Sequence, residues 1–173
     1  MRRRMTGAVL ALLCLSAPSG AFAGLEELKV GAAITIGDDS DFGLGARVEY
    51  DLDAVLPNLG IAGGLNFFFP GDPYDSWWEL HTAALYRFKV NETFTPYAGG
   101  GLTFASWGNA PSDEDPFIAG SGSESARDSS FALALIGGCA FDFDIGFTPF
   151  VEARLGVGGG NELEITAGAL IGF

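Results

Sequence analysis

Asp41-Phe42-Gly43-Leu44-Gly45-Ala46-Arg47-Val48-Glu49-Tyr50-Asp51-Leu52 is the stretch on which the fold turns. Taken every second residue, Phe42, Leu44, Ala46, Val48, Tyr50 and Leu52 form one apolar face, and Asp41, Gly43, Gly45, Arg47, Glu49 and Asp51 form the other. Only a strand, with its period of two, separates these sets; a helix would mix them. The run is also about twice as long as the usual globular strand of roughly 5 to 6 residues. It matches the roughly 9 to 11 that a tilted strand needs to cross hydrocarbon.

The same alternation recurs on both sides of this stretch. It predicts strands over 27–36, 41–52, 59–69, 77–89, 94–107, 129–143, 147–158 and 162–173. In the seventh, Phe147, Pro149, Val151, Ala153, Leu155 and Val157 oppose Thr148, Phe150, Glu152, Arg154 and Gly156; in the last, Ile165, Ala167, Ala169, Ile171 and Phe173 oppose Glu164, Thr166, Gly168 and Gly172. No helical period persists, and no apolar run is long enough for a membrane helix of about 20 residues. The fold class expected is all-β, an eight-stranded antiparallel up-and-down transmembrane β-barrel.

The connections alternate in kind. Asp38–Asp41, Pro70–Asp75, Gly108–Asp128 and Gly158–Asn161 are the odd-numbered breaks, and Asp53–Asn58, Val90–Thr93 and Asp144–Gly146 the even ones. The longest loop falls on the odd side, as in a barrel whose termini are both periplasmic and whose odd loops are extracellular. Residues 1–23 read as a cleaved signal peptide: Arg2, Arg3 and Arg4 precede a short apolar run from Ala8 to Leu15, and Ala21-Phe22-Ala23 supplies the cleavage pattern. Residues 24–173 are then a single barrel domain.

Charge narrows the function. The chain has 9 Lys+Arg against 22 Asp+Glu, a formal net charge of -13. Losing Arg2, Arg3 and Arg4 leaves six basic residues and a net charge of -16. No basic footprint remains for nucleic acid. The one cysteine beyond the leader, Cys139, cannot close an internal disulfide and lies on a lipid-facing position. The 26 glycines accompany 48% hydrophobic residues without a Gly-X-Y period, which excludes collagen and argues against disorder.

A lipocalin-type barrel has an apolar lining, whereas a membrane barrel turns its apolar side outward. The alternation puts Lys29, Arg47, Glu49, Asn66, Glu79, His81, Arg87, Glu152, Arg154 and Glu164 on one inner side, where acids and bases can pair. Small residues such as Gly99, Gly101, Ala132, Ala134, Gly138 and Ala140 crowd the same side. Eight strands leave room there only for side chains, so a plugged, salt-bridged core is expected rather than a diffusion channel. The other faces carry aromatic residues near strand ends: Tyr50, Phe67, Phe69, Trp78, Tyr86, Phe88, Phe94, Phe104, Phe141, Phe143 and Phe147. Such rings suit the two bilayer interfaces.

The leader, the eight strands, the stretch Phe94-Thr95-Pro96-Tyr97-Ala98-Gly99-Gly100-Gly101-Leu102 and a terminal strand ending in Phe173 together resemble the small outer-membrane barrels typified by the OmpA transmembrane domain and OmpX. The resemblance implies a bacterial outer-membrane location with both termini periplasmic, contact with outer-membrane lipid and lipopolysaccharide, and a monomer without cofactor. It also implies that Ile171 and Phe173 belong to the signal read by the barrel assembly machinery. Two departures stand out: no peptidoglycan-binding segment follows Phe173, and the chain is unusually acidic.

Three functional readings follow. The first is a structural or surface-interaction barrel without catalysis, presenting acidic loops. Asp113, Glu114 and Asp115, like Asp38, Asp39 and Asp41, supply hard oxygen ligands for divalent cations, though without an EF-hand pattern. The second is a lipid A hydrolase of PagL type, whose motif resembles His-x-Ser with a nearby acid. His81 has Glu79 on its own face, but Ala83 stands two residues on and Thr82 points away; a Ser or Thr facing His81 from a neighbouring strand would favour this reading. The third is a soluble lipocalin-like binder, which the charged inner positions oppose. Gly156–Gly160 reads as a hairpin, lacking the helix and Lys of a phosphate loop, and Asn91-Glu92-Thr93 carries little meaning as a glycosylation sequon in a periplasmic turn.

Overall fold

A computed structural model describes residues 28–37, 42–53, 55–69, 74–109, 127–158 and 163–172. The leader, the acidic clusters at 38–41 and 113–115, and Phe173 lie outside the described residues. The strands are β1 (Leu28–Gly37), β2 (Phe42–Asp51), β3 (Leu59–Phe69), β4 (Tyr74–Arg87), β5 (Phe94–Asn109), β6 (Arg127–Phe141), β7 (Thr148–Val157) and β8 (Leu163–Gly172). Each pairs antiparallel with its neighbour in sequence, and β1 closes onto β8 from Lys29↔Gly172 to Gly37↔Glu164. Closure removes both sheet edges, so the paired backbone can sit in hydrocarbon without orphan polar groups. A ten-residue strand rises about 34 Å along its axis, and a tilt near 40° brings its span to about 26 Å, the height of an outer-membrane apolar band.

The faces separate as the period of two requires. Ile34, Leu44, Ile61, Phe67, Leu80, Leu102, Leu135, Val151 and Ile165 are exposed on the outer surface, whereas Arg47, Glu49, Asn66, Glu79, Glu152, Arg154 and Glu164 are buried inside. An apolar exterior around a charged interior is the inverse of a lipocalin, and it removes the soluble-binder reading. Outward aromatic rings pair near both strand ends. Phe104 packs on Phe131 at 4.8 Å and on Trp78 at 5.4 Å at one end, and Tyr86 meets Phe88 at 5.1 Å at the other.

The turns at the end holding the termini are short and built from Asx side chains. Asn91 Oδ1 accepts the Thr93 and Phe94 amides at 3.0 and 2.7 Å, a structural use of the residue that opens the apparent sequon. Asp53 Oδ1 accepts the Asn58 amide at 2.6 Å, and Asn58 takes a left-handed φ of 66°. At the opposite end the loop expected over Gly108–Asp128 is narrower, because the β5–β6 ladder continues through Trp107↔Asp128 and Gly108↔Arg127. Likewise β4 begins at Tyr74, inside the expected Pro70–Asp75 break. Past the apolar band both faces of a strand are polar, so alternation fades while backbone pairing persists.

Candidate functional site

The inner face is where the polar chemistry of the described residues is gathered, and pairing register explains how. Along one row of the ladder, Gly31, Arg47, Gly64, His81 and Thr103 stand side by side from β1 to β5. Gly64 has no side chain where a Cβ would strike the His81 imidazole, so glycine there makes room for the ring. One row on, Gly45, Asn66, Glu79, Ala105 and Ser130 align.

Two charge clusters fill the lumen. In the first, nearer the termini, Lys29 Nζ binds Asp51 at 3.0 Å, Arg87 binds Asp51 and also Glu49 at 2.6 Å, and Arg47 joins Glu49 and Glu152, each at 2.8 Å. The Tyr97 hydroxyl donates to Glu152 at 3.1 Å, and the Arg47 guanidinium lies 4.6 Å over the Phe150 ring. Three bases thus meet three carboxylates, and the bridge from Arg47 on β2 to Glu152 on β7 crosses the lumen. In the second cluster Arg154 binds Glu79 at 2.7 Å and also Glu164, while His81 Nδ1 lies 3.6 Å from Glu79. Thr35 and Thr166 hydroxyls meet at 2.9 Å beside it. Burying such charges is tolerable only because each has a partner.

Every inner-face residue singled out from the sequence therefore reaches the lumen, but the grouping was not legible there. Lys29, Arg47, Glu49, Arg87 and Glu152 form one cluster; Glu79, His81, Arg154 and Glu164 form the other. Asn66 stands apart, its Nδ2 buried without a partner. Asp51 and Tyr97 belong to the network and were not singled out. Alternation puts both on the inner face, Asp51 with Arg47 and Glu49 and Tyr97 with Gly99 and Gly101, but it does not say which charges they meet. Ile171 lies at the outer surface of β8, 36% exposed. Cys139 is half-buried on the outer face between Pro96 and Val151, and belongs to no group of three or more metal-ligating side chains among the described residues.

Thr103 is the cross-strand partner of His81, so the hydroxyl that a hydrolase reading asks for is present in register. Both side chains are buried in the lumen, at 9% and 8% exposure, and no hydrogen bond joins them. The lipid that such an enzyme would cleave lies against the other face of the wall.

The chain matches the family model of the outer membrane protein beta-barrel domain over residues 7–164. No curated protein matches it significantly. Among solved structures, the N-terminal β-barrel domain of Pseudomonas aeruginosa OprF aligns with a TM-score of 0.67 at 16% identity, covering 84% of this chain and 96% of that one. The Yersinia pestis attachment invasion locus protein Ail aligns at 0.54 and 15% identity over 84% and 94% of the two chains. That protein has also been solved with the heparin analogue sucrose octasulfate. The outer membrane enzyme PagL aligns at 0.56 and 18% identity over 84% and 99%. At these identities the likeness is one of fold.

Proposed function

From the premise that the chain belongs to the outer membrane protein beta-barrel domain family, we propose that this outer-membrane barrel is a closed structural and surface-interaction protein without catalysis. The observation that carries the reading is the cross-lumen pairing of Arg47 with Glu152 and of Arg154 with Glu79, which fills the middle of the barrel with tied side chains. Both termini face the periplasm, and the β1–β2, β3–β4, β5–β6 and β7–β8 connections face outward. Ile171 and Phe173 supply the signal that the assembly machinery reads, and residues 1–23 are removed on export.

Charge placement limits what the outer end can bind. Of the six basic residues beyond residue 23, Lys29, Arg47, Arg87 and Arg154 are held in the lumen clusters, and Lys89 follows β4 at the terminus-bearing end. Arg127 alone is left at the loop-bearing end, which does not suit a sulfated polyanion. Contact with lipopolysaccharide phosphates there would run through divalent cations on acidic loops.

The test is reconstitution in planar bilayers, combined with migration on a gel before and after boiling. A closed barrel shifts mobility on heating and gives no steady conductance; a persistent open channel would overturn the plugged core. The hydrolase reading, favoured only by Thr103 facing His81, is tested separately by mass spectrometry of lipid A incubated with the folded protein. The expected outcome is no loss of an acyl chain, and a loss abolished by His81→Ala would establish the enzyme instead.

A further inference from the structure

The two lumen clusters differ in charge balance. The first sets Lys29, Arg47 and Arg87 against Glu49, Asp51 and Glu152 and closes to zero. In the second, the single guanidinium of Arg154 answers two carboxyls, Glu79 at one terminal nitrogen and Glu164 at the other. The Arg154, Glu79 and Glu164 side chains are 4%, 2% and 5% exposed, so neither water nor salt offsets the second acid. Toward the loop-bearing end the next inner ladder row, Gly43↔Phe68↔Trp77↔Trp107↔Asp128, stands between this cluster and the loops. Its Phe68 and Trp77 rings lie 4.9 Å apart, and Trp77 meets Trp107 at 6.3 Å.

Two carboxylates brought together on one guanidinium cannot both stay ionised in a buried site without a second positive charge. His81 is poorly placed to supply it. Its Nδ1 lies 3.6 Å from Glu79, beyond hydrogen-bond length. An imidazolium there would also stand among guanidiniums: Arg154 holds the same Glu79, and Arg47 shares a ladder row with His81 across Gly64, which has no side chain to separate them. Glu152, two residues from Arg154 on β7, is the other acid nearby and is taken up by Arg47 and the Tyr97 hydroxyl. The remaining neighbours bring no charge: Thr35 on β1, Asn66 on β3, Thr103 on β5, Ile136 on β6 and Thr166 on β8. We propose that Glu79 and Glu164 share one proton at neutral pH and form a pH-sensitive tie across the lumen. With the proton in place, β4 is joined through Arg154 to β7 and β8 by a cluster of zero net charge. When hydroxide takes that proton as water, a negative charge is stranded in the lumen and the tie loosens.

The shared proton goes beyond the surface-interaction reading and holds for either orientation of the barrel. It is counted by linkage, from urea unfolding of the full chain in liposomes read by the gel shift between folded and unfolded bands. Glu164→Gln serves as reference, because its amide imitates the protonated acid and leaves His81 and every other titrating group in place. The folded barrel keeps a proton that the unfolded chain releases, so stability present at lower pH is lost as pH rises. One proton is worth about tenfold in the folding constant per pH unit, and the ratio of parent to variant should fall at least tenfold between about pH 6 and about pH 9. Infrared spectra of the folded parent chain should show a protonated-carboxyl band that alkaline pH removes, a reading that stands even if the variant does not fold; where it folds, Glu164→Gln abolishes the band. His81 is the only histidine in the chain, so NMR with nitrogen-labelled histidine reads its charge directly, and a neutral imidazole is expected at neutral pH. A ratio that does not change with pH, a missing carboxyl band or an imidazolium at His81 would each overturn the shared proton.

Discussion

Arg154 bears the most consequential pairing in the lumen, since a single guanidinium answers both Glu79 and Glu164. Replacing it by Ala leaves two buried carboxylates without a cation, and breaking a buried pair in this way costs about 3–5 kcal/mol. We expect Arg154→Ala to lower the urea midpoint of the liposome-folded barrel accordingly, read by the gel shift between folded and unfolded bands. The triple variant Arg154→Met, Glu79→Gln, Glu164→Gln should regain most of that loss, because no charge is stranded; an unrecovered midpoint would mean that the cluster acts through packing instead. Gly64 offers a second residue-level check. A methyl there collides with the His81 ring, so Gly64→Ala should cost about 1–3 kcal/mol by overpacking, relieved in the double variant with His81→Ala. Alternation in the sequence marked these residues as inward. Which acid meets which base was not readable, because partners such as Arg47 and Glu152 lie 105 positions apart and meet only across the closed lumen.

At the scale of the strand, the two faces make opposite demands. Leu135 is 59% exposed in the middle of the outer face of β6, next to Gly100 and Leu155 on the neighbouring strands. Leu135→Arg therefore puts a charge in hydrocarbon and should cost about 2–4 kcal/mol, whereas Phe131→Arg near the strand end should lose only about 0–1 kcal/mol of the burial-depth penalty. Urea titrations in liposomes of both variants decide this; equal midpoints would deny the membrane belt. Strand positions were legible because a wall with lipid on one side and a packed lumen on the other forces strict alternation. The extensions of β4, β5 and β6 were not, since Ser76, Asn109, Asp128 and their neighbours carry no apolar–polar alternation. Trp77 shares the inward parity of Glu79 and His81, but that Phe68 and Trp107 are its neighbours was decided only by register.

For the whole molecule, closure of β1 on β8 sets which end carries short turns and which carries the long connections. A Ser121→Cys substitution in the β5–β6 connection should react with a membrane-impermeant maleimide on intact cells, with the parent chain, whose Cys139 is half-buried on the outer face of the strands, as control. Labelling only after lysis would reverse the proposed orientation. By itself the sequence determined strand number, the inward and outward sets and the membrane setting, because these follow from local period and from segment length against bilayer thickness. Tertiary structure alone decided the two charge clusters, the placement of Thr103 opposite His81 and the row that joins Phe68, Trp77, Trp107 and Asp128. These depend on register between strands and on closure of the barrel, and a period of two says which face a side chain takes but not which neighbour it meets.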